Sequence, residues 1–195
     1  MADEETIGLD PARRAALAAR LGGEVVAGDF DGDRAPPVEL PEFHDRVCFE
    51  HRGVALAYYV SHVERGEVGP AIAEGFYTRL MLTLAPDRPA FHIIPETLWT
   101  RLTRKLGAQD IETGDAAYDA AFMIKCDAPE WLKGCLSSSF RALHLDHPDV
   151  IIRHLDHRLE ALHDHRAPDT PAAVEGRAET LVELAMQLQR DAVYR

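Results

Sequence analysis

The chain has 195 residues, 46% of them hydrophobic and 28% charged, with a formal net charge of −12. That length and composition suit one globular domain able to fold without a disulfide or a metal, and they argue against a disordered chain. The charge disfavours non-specific nucleic-acid binding and docking on anionic lipid, because phosphate would be repelled.

No apolar run approaches the roughly 20 residues of a membrane helix. The opening Met1-Ala2-Asp3-Glu4-Glu5 is acidic where a secretory signal is basic. Cys48, Cys126 and Cys135 are odd in number and outside any CxxC pattern, which suits a reducing, cytoplasmic setting. Only Lys105, Lys125 and Lys133 among the 21 basic residues are lysines, and alanine is abundant, a bias typical of a GC-rich bacterial genome.

Asp10 and Pro11 announce a first helix, with Leu17, Ala18 and Leu21 on its inner side and Gly22-Gly23 as its stop. Its alanine-rich face is small, so this helix over 1–23 either packs closely or is a loosely attached appendage. A short strand over 24–27 follows, then a loop from Asp29 to Pro41 rich in Asp, Gly and Pro. Val47, Phe49 and His51 alternate with polar neighbours, Arg52-Gly53 turns, and Val54, Leu56, Tyr58 and Val60 return: a β-hairpin. Further strands are expected over 76–84 and 91–94.

Pro95 opens an expected second helix with a Leu98, Leu102, Leu106 stripe ended by Gly107. A strand over 122–125 comes next. Asp127 and Glu130 then have the spacing of a capping box for one helix whose buried side holds Trp131, Leu132, Cys135, Leu136, Phe140 and Leu143. Strands over 150–153 and 158–163 precede a last helix from Thr170-Pro171 to about Leu188. Strict βαβ alternation is absent. The pattern therefore predicts a single α+β domain over 1–195, with a mostly antiparallel sheet packed against three or four helices.

Ile93-Ile94-Pro95-Glu96, Asp110-Ile111-Glu112-Thr113-Gly114-Asp115 and Tyr118-Asp119-Ala120-Ala121-Phe122-Met123-Ile124 stand in this order. Together they resemble a D-I-x-x-G-D-x-x-F-D-x-x-F signature of a family of bacterial proteins of unknown function. The resemblance covers about residues 91–188 and places Tyr118 where phenylalanine is usual. It implies a strand after the signature, then a helix, two strands and a closing helix. It implies no activity.

Asp110, Glu112, Asp115 and Asp119 lie within ten positions, enough carboxylate for a hard cation or an acid/base pair. The plainer reading has Asp115 capping a helical turn after Gly114, with residues 118 and 122 anchoring it to the core. Six histidines fall between His144 and His165, as His144-x-x-His147, His154-x-x-His157 and His163-x-His165. His154, His157 and His163 are the metal candidates, although no HExxH motif or completing cysteine spacing accompanies them, so no metal or other cofactor is expected. Asp29-Phe30-Asp31-Gly32-Asp33 fails as a calcium loop, since glycine is fourth rather than sixth and position twelve is Leu40. Arg101, Arg104 and Lys105 form a basic patch for an acidic partner or a phosphate, in a place where the helix dipole also favours cations.

Nucleophile elbows and phosphate loops are absent: Ser137-Ser138-Ser139 has no flanking glycines and Cys135 faces the core. These readings favour a non-enzymatic interaction or adaptor module that binds a protein partner or a second copy, with Tyr58, Tyr59, Tyr77 and Trp99 as interface anchors. The alternatives are a metal-dependent or acid/base enzyme using the 110–119 carboxylates with His154 or His157, and a small-ligand sensor with a pocket lined by Phe49, Tyr58 and Trp99.

Overall fold

The computed structural model describes residues 11–26, 45–63, 75–84, 88–96, 111–164 and 169–193. Its strands are β1 (Glu24–Val26), β2 (Arg46–His51), β3 (Val54–Val63), β4 (Gly75–Thr83), β5 (Phe91–Pro95), β6 (Phe122–Cys126), β7 (Ile151–Leu155) and β8 (Arg158–Asp164). They form one sheet in the order β1-β2-β3-β4-β8-β7-β5-β6, with every pairing antiparallel. Five helices accompany it among the described residues: α1 (Pro11–Leu21), α2 (Ala116–Ala121), α3 (Pro129–Cys135), α4 (Ser138–Leu145) and α5 (Pro171–Val193). This is the expected α+β architecture with one helix more than the upper expectation. None of the described helices is long and apolar enough to cross a membrane.

The turns explain the pairing. Arg52 and Gly53 both have positive φ (51° and 77°), the twist that closes a two-residue hairpin between right-twisted strands. Asp156 and His157 do the same between β7 and β8 (49° and 68°) without a glycine, aspartate being among the residues that tolerate the left-handed region. Register follows from alternation: Leu56, Leu80, Ala161 and Ile152 share one face, while Tyr59, Met81, Glu160 and Arg153 share the other.

The first face carries the main core. Val174, Ala178, Leu181, Val182, Ala185 and Leu188 of α5 pack there, fully buried, with Trp131, Leu132 and Phe140 from α3 and α4. α1 closes the β1–β2 end through Leu17 and Ala18. The second face is buried too: Tyr59, Val63, Met81, Ile94, Met123 and Leu162 are at most 2% exposed. Burying each such side chain contributes about 1.5–3 kcal/mol before the entropy of ordering is subtracted.

Three local expectations are corrected. The single helix after Asp127 is broken in two, because Ser137 leaves helical geometry and caps a new start, its hydroxyl accepting the Phe140 amide at 3.2 Å. The Asp127–Glu130 capping box does not form: Ala128 occupies the cap position without a side-chain bond, and Pro129 begins α3. Leu143 is only half-buried, and its inward place goes to His144, which is 0% exposed. The expected Pro95 helix, the Asp29–Asp33 loop, Trp99, Arg101, Arg104, Lys105, Asp110 and His165 lie outside the described residues. Pro95 itself ends β5.

Candidate functional site

The acidic signature is a folded knot. Gly114 adopts φ +84°, which favours glycine, and the chain then enters α2. One Asp115 carboxylate oxygen accepts the Ala117 and Tyr118 amides, each at 3.2 Å, and the other accepts Arg141 Nε at 3.1 Å. The Tyr118 amide and then Arg141 hold this carboxyl below the ordinary aspartate range. Asp119 reaches backwards to the Thr113 amide (2.9 Å), the Thr113 hydroxyl (2.7 Å) and the Gly114 amide (3.1 Å). Both carboxylates therefore brace the turn, and Glu112 is exposed beside it.

Tyr118 has a partner that nothing in its sequence neighbourhood marks. Its hydroxyl meets His144 Nδ1 at 2.8 Å, and His144 Nε2 lies 3.0 Å from the Val150 carbonyl. A carbonyl only accepts, so Nε2 carries the proton and Nδ1 accepts from Tyr118. Phe122 stacks on the same imidazole with centroids 4.0 Å apart. Burial pushes His144 down to about 3, so it is a neutral core residue.

The metal-candidate histidines separate. α2 runs into Phe122, which pairs with Pro95 at the C-terminal end of β5. His154 pairs with Phe91 at the opposite end of that strand, its Nδ1–H donating to the Pro89 carbonyl at 3.0 Å. His157 stands exposed in the β7–β8 turn. The acidic run is thus not brought together with His154 or His157. His163 belongs to a third group, and no set of three or more His, Cys, Asp or Glu among the described residues is placed to hold a metal ion.

That third group ties the start of α5 to the sheet. Asp169 accepts the Tyr58 hydroxyl at 2.6 Å and pairs with Arg177 Nη2 at 2.6 Å, while His163 Nδ1 stands 3.4 Å away. His163 Nε2 reaches Asp149 on the surface at 2.9 Å. Burial alone would raise the Asp169 carboxyl, but His163, Arg177 and Tyr58 together hold it far below the usual range. Asp169 in turn raises His163 against the opposing effect of burial. Chemically this is a histidine oriented by one buried aspartate, with its outer nitrogen occupied by an exposed one.

A fourth group lies on the second face of the sheet. Glu160 Oε2 accepts Arg153 Nε at 2.6 Å and stands 3.5 Å from Arg79 Nη1, all three side chains being less than a tenth exposed. Tyr59 beside them is pushed up to about 12 by burial and by the Glu160 charge. The alternation of β4, β7 and β8 places these residues inward, but nothing in the sequence marks them as partners.

Tyr58, Tyr59 and Tyr77 are at most 8% exposed, so the expectation that they anchor an interface is corrected: the sheet consumes them. Phe49 and Tyr58 likewise belong to the core and not to an enclosed pocket.

Among the described residues, one accessible concavity lies at the sheet edge. β1 pairs with only Arg46–Cys48 of β2, because the Gly23 amide bonds to the Ala18 carbonyl at 2.8 Å and turns the chain into α1. An open groove of about 400 Å³ remains there, bordered by Gly22, Gly23, Glu24, Cys48, Phe49, Glu50, Ala55 and Leu56. Val25 on the edge strand is 44% exposed. Burial raises the Cys48 thiol, leaving it a poor nucleophile at neutral pH.

No family model matches the chain, and no curated protein does either. The interior clusters are engaged in holding elements together, whereas among the described residues β1 is an edge strand of the sheet and the open groove lies beside it.

Proposed function

We propose that this protein is a non-enzymatic interaction module that binds a protein partner, or a second copy of itself, along the β1 edge of its sheet. The observation that supports this most is the juxtaposition of an edge strand bearing an exposed valine with an open groove. An edge strand presents unpaired amides and carbonyls to any extended segment laid beside it, and a groove beside it gives side chains a place to go. The described carboxylates of the acidic run, Glu112, Asp115 and Asp119, and the histidines His154 and His157 are spread over separate parts of the fold. Asp115 and Asp119 build a turn, His154 holds a carbonyl, and His157 caps a hairpin. The net charge of −12 speaks for a protein partner rather than a nucleic acid, and Cys48, Cys126 and Cys135 without disulfides suit a cytoplasmic setting.

Site-specific photocross-linking tests the reading. A photoreactive residue replaces Val25 in one version of the chain and exposed Gln189 on α5 in another. The expected result is a discrete adduct, with a partner or with a second copy, from position 25 alone, accompanied by slowed amide exchange over 24–26. A strictly monomeric protein with no adduct at position 25 overturns it.

A further inference from the structure

The partner chemistry can be taken one step further, resting on the docking edge just proposed. Cys48 and Glu50 are alternate residues of β2, and Glu24 stands opposite Cys48, so all three share one face of the sheet. Apart from Arg46, which interacts with Cys48, their neighbours on that face are small. Ala55 lies opposite Glu50, Ala57 opposite Cys48, and Gly22-Gly23 leads into Glu24. Ala55 and the two glycines bring no more than a methyl group to the groove, whose remaining apolar lining is Phe49 and Leu56. Gly23 cannot carry more, since a Cβ there would lie 2.2 Å from the Cys48 carbonyl oxygen and 2.7 Å from Phe49 Cβ.

Two exposed carboxylates, Glu24 and Glu50, therefore stand beside an apolar lining of glycine, alanine, Phe49 and Leu56. Neither is engaged in an ion pair among the described residues. No arginine, lysine or histidine lines the groove itself, and the cation next to it, buried Arg46, is turned to Cys48 on the same strand face. A long cationic side chain matches this shape: its methylene stem covers alanine and glycine while its head meets carboxylate.

We infer that the segment docking at the β1 edge is an extended basic peptide, with lysine or arginine at alternate positions directed into the Glu24–Glu50 groove. Alternation follows from strand geometry, since every second residue of an added strand projects to the same face. An acidic strand would meet repulsion from both glutamates and from the chain's overall negative charge.

The test uses two capped eight-residue peptides, alternating lysine with threonine or glutamate with threonine, titrated into isotopically labelled full-length protein and followed by NMR. The lysine peptide is expected to shift the amides of Gly22–Val26 and Glu50–Ala55 and to bind about tenfold tighter than the glutamate peptide. The E24Q/E50Q variant should weaken the lysine peptide about fivefold, as should high salt, while its thermal unfolding stays unchanged. Equal binding of both peptides, undiminished binding to E24Q/E50Q, or a footprint on another surface overturns the inference. If position 25 still cross-links in cells when the peptides fail to discriminate, the basic partner falls and the docking edge stands. If neither responds, both fall.

Discussion

Single side chains in this protein take roles that depend on one neighbour. His144 is neutral because burial lowers it to about 3, and its two nitrogens are committed to Tyr118 and Val150. An unfolded histidine binds a proton near pH 6.5, whereas the folded one does not until about pH 3. Proton uptake thus favours the unfolded chain, and this contribution to stability is full above pH 6.5 and declines as pH falls through that window. Denaturant titrations at pH 6.5 and pH 5, above the main carboxylate range, should show the decline. In the H144F/Y118F variant the slope should be shallower by about 1 kcal/mol per pH unit, even though Val150 loses a donor. An unchanged slope would mean that His144 is accessible to protons in the native state. None of this was legible in the residues alone: nothing around Tyr118 marks its hydroxyl for a partner, and His144 reads as one of six clustered histidines. Only the packing of α4 against α2, with Val150 just ahead of β7, reveals why the hydroxyl and the imidazole belong together.

Elements were more legible than side chains. The β2–β3 and β7–β8 hairpins, the α5 stripe and the short β5 and β6 strands follow from alternation and turn chemistry, which are local signals. The break between α3 and α4 was missed because the apolar spacing continues across it, and three consecutive serines stop a helix more readily than that spacing suggests. Gly22-Gly23 was read as a helix stop, yet the second glycine has a further role: it lets α1 and β1 lie against the β2 backbone. Gly23→Ala should therefore cost about 1–3 kcal/mol, since the atoms in its way are mostly backbone and cannot swing aside. Chemical denaturation measures the loss, and amide exchange should show β1 opening first. Gly22→Ala meets no atom within 4 Å and suffers only its positive φ of 67°, so it should cost less than Gly23→Ala. The reverse order would show that α1 docks differently.

At the scale of the whole molecule, the polar groups near the start of α5 bias the response to pH. His163 faces Asp149 from the β7 approach, Asp169 and Arg177 from the α5 side, and Thr78 across from it on β4. Its folded pKa is raised, so its contribution is fully present below the unfolded value near 6.5 and is lost as pH rises through the folded one. Asp169 is depressed, and its contribution is present above the ordinary aspartate range and lost only in strong acid. His163→Gln should therefore flatten the fall in thermal stability between neutral and mildly alkaline pH, as read by melting curves; an unaltered fall would place the titration elsewhere. The α+β class was legible from the order of elements, but the sheet order was not, because β4 pairs with β8 and β5 with β7 across long stretches of chain. That connectivity has a kinetic consequence. Met81 finds Glu160 only after about 80 intervening residues have been made, roughly 4–16 seconds at ordinary rates of synthesis. Through that interval the β2–β3–β4 meander offers its β4 edge to any passing chain, so the nascent protein should be most prone to aggregate before its final hairpin leaves the ribosome.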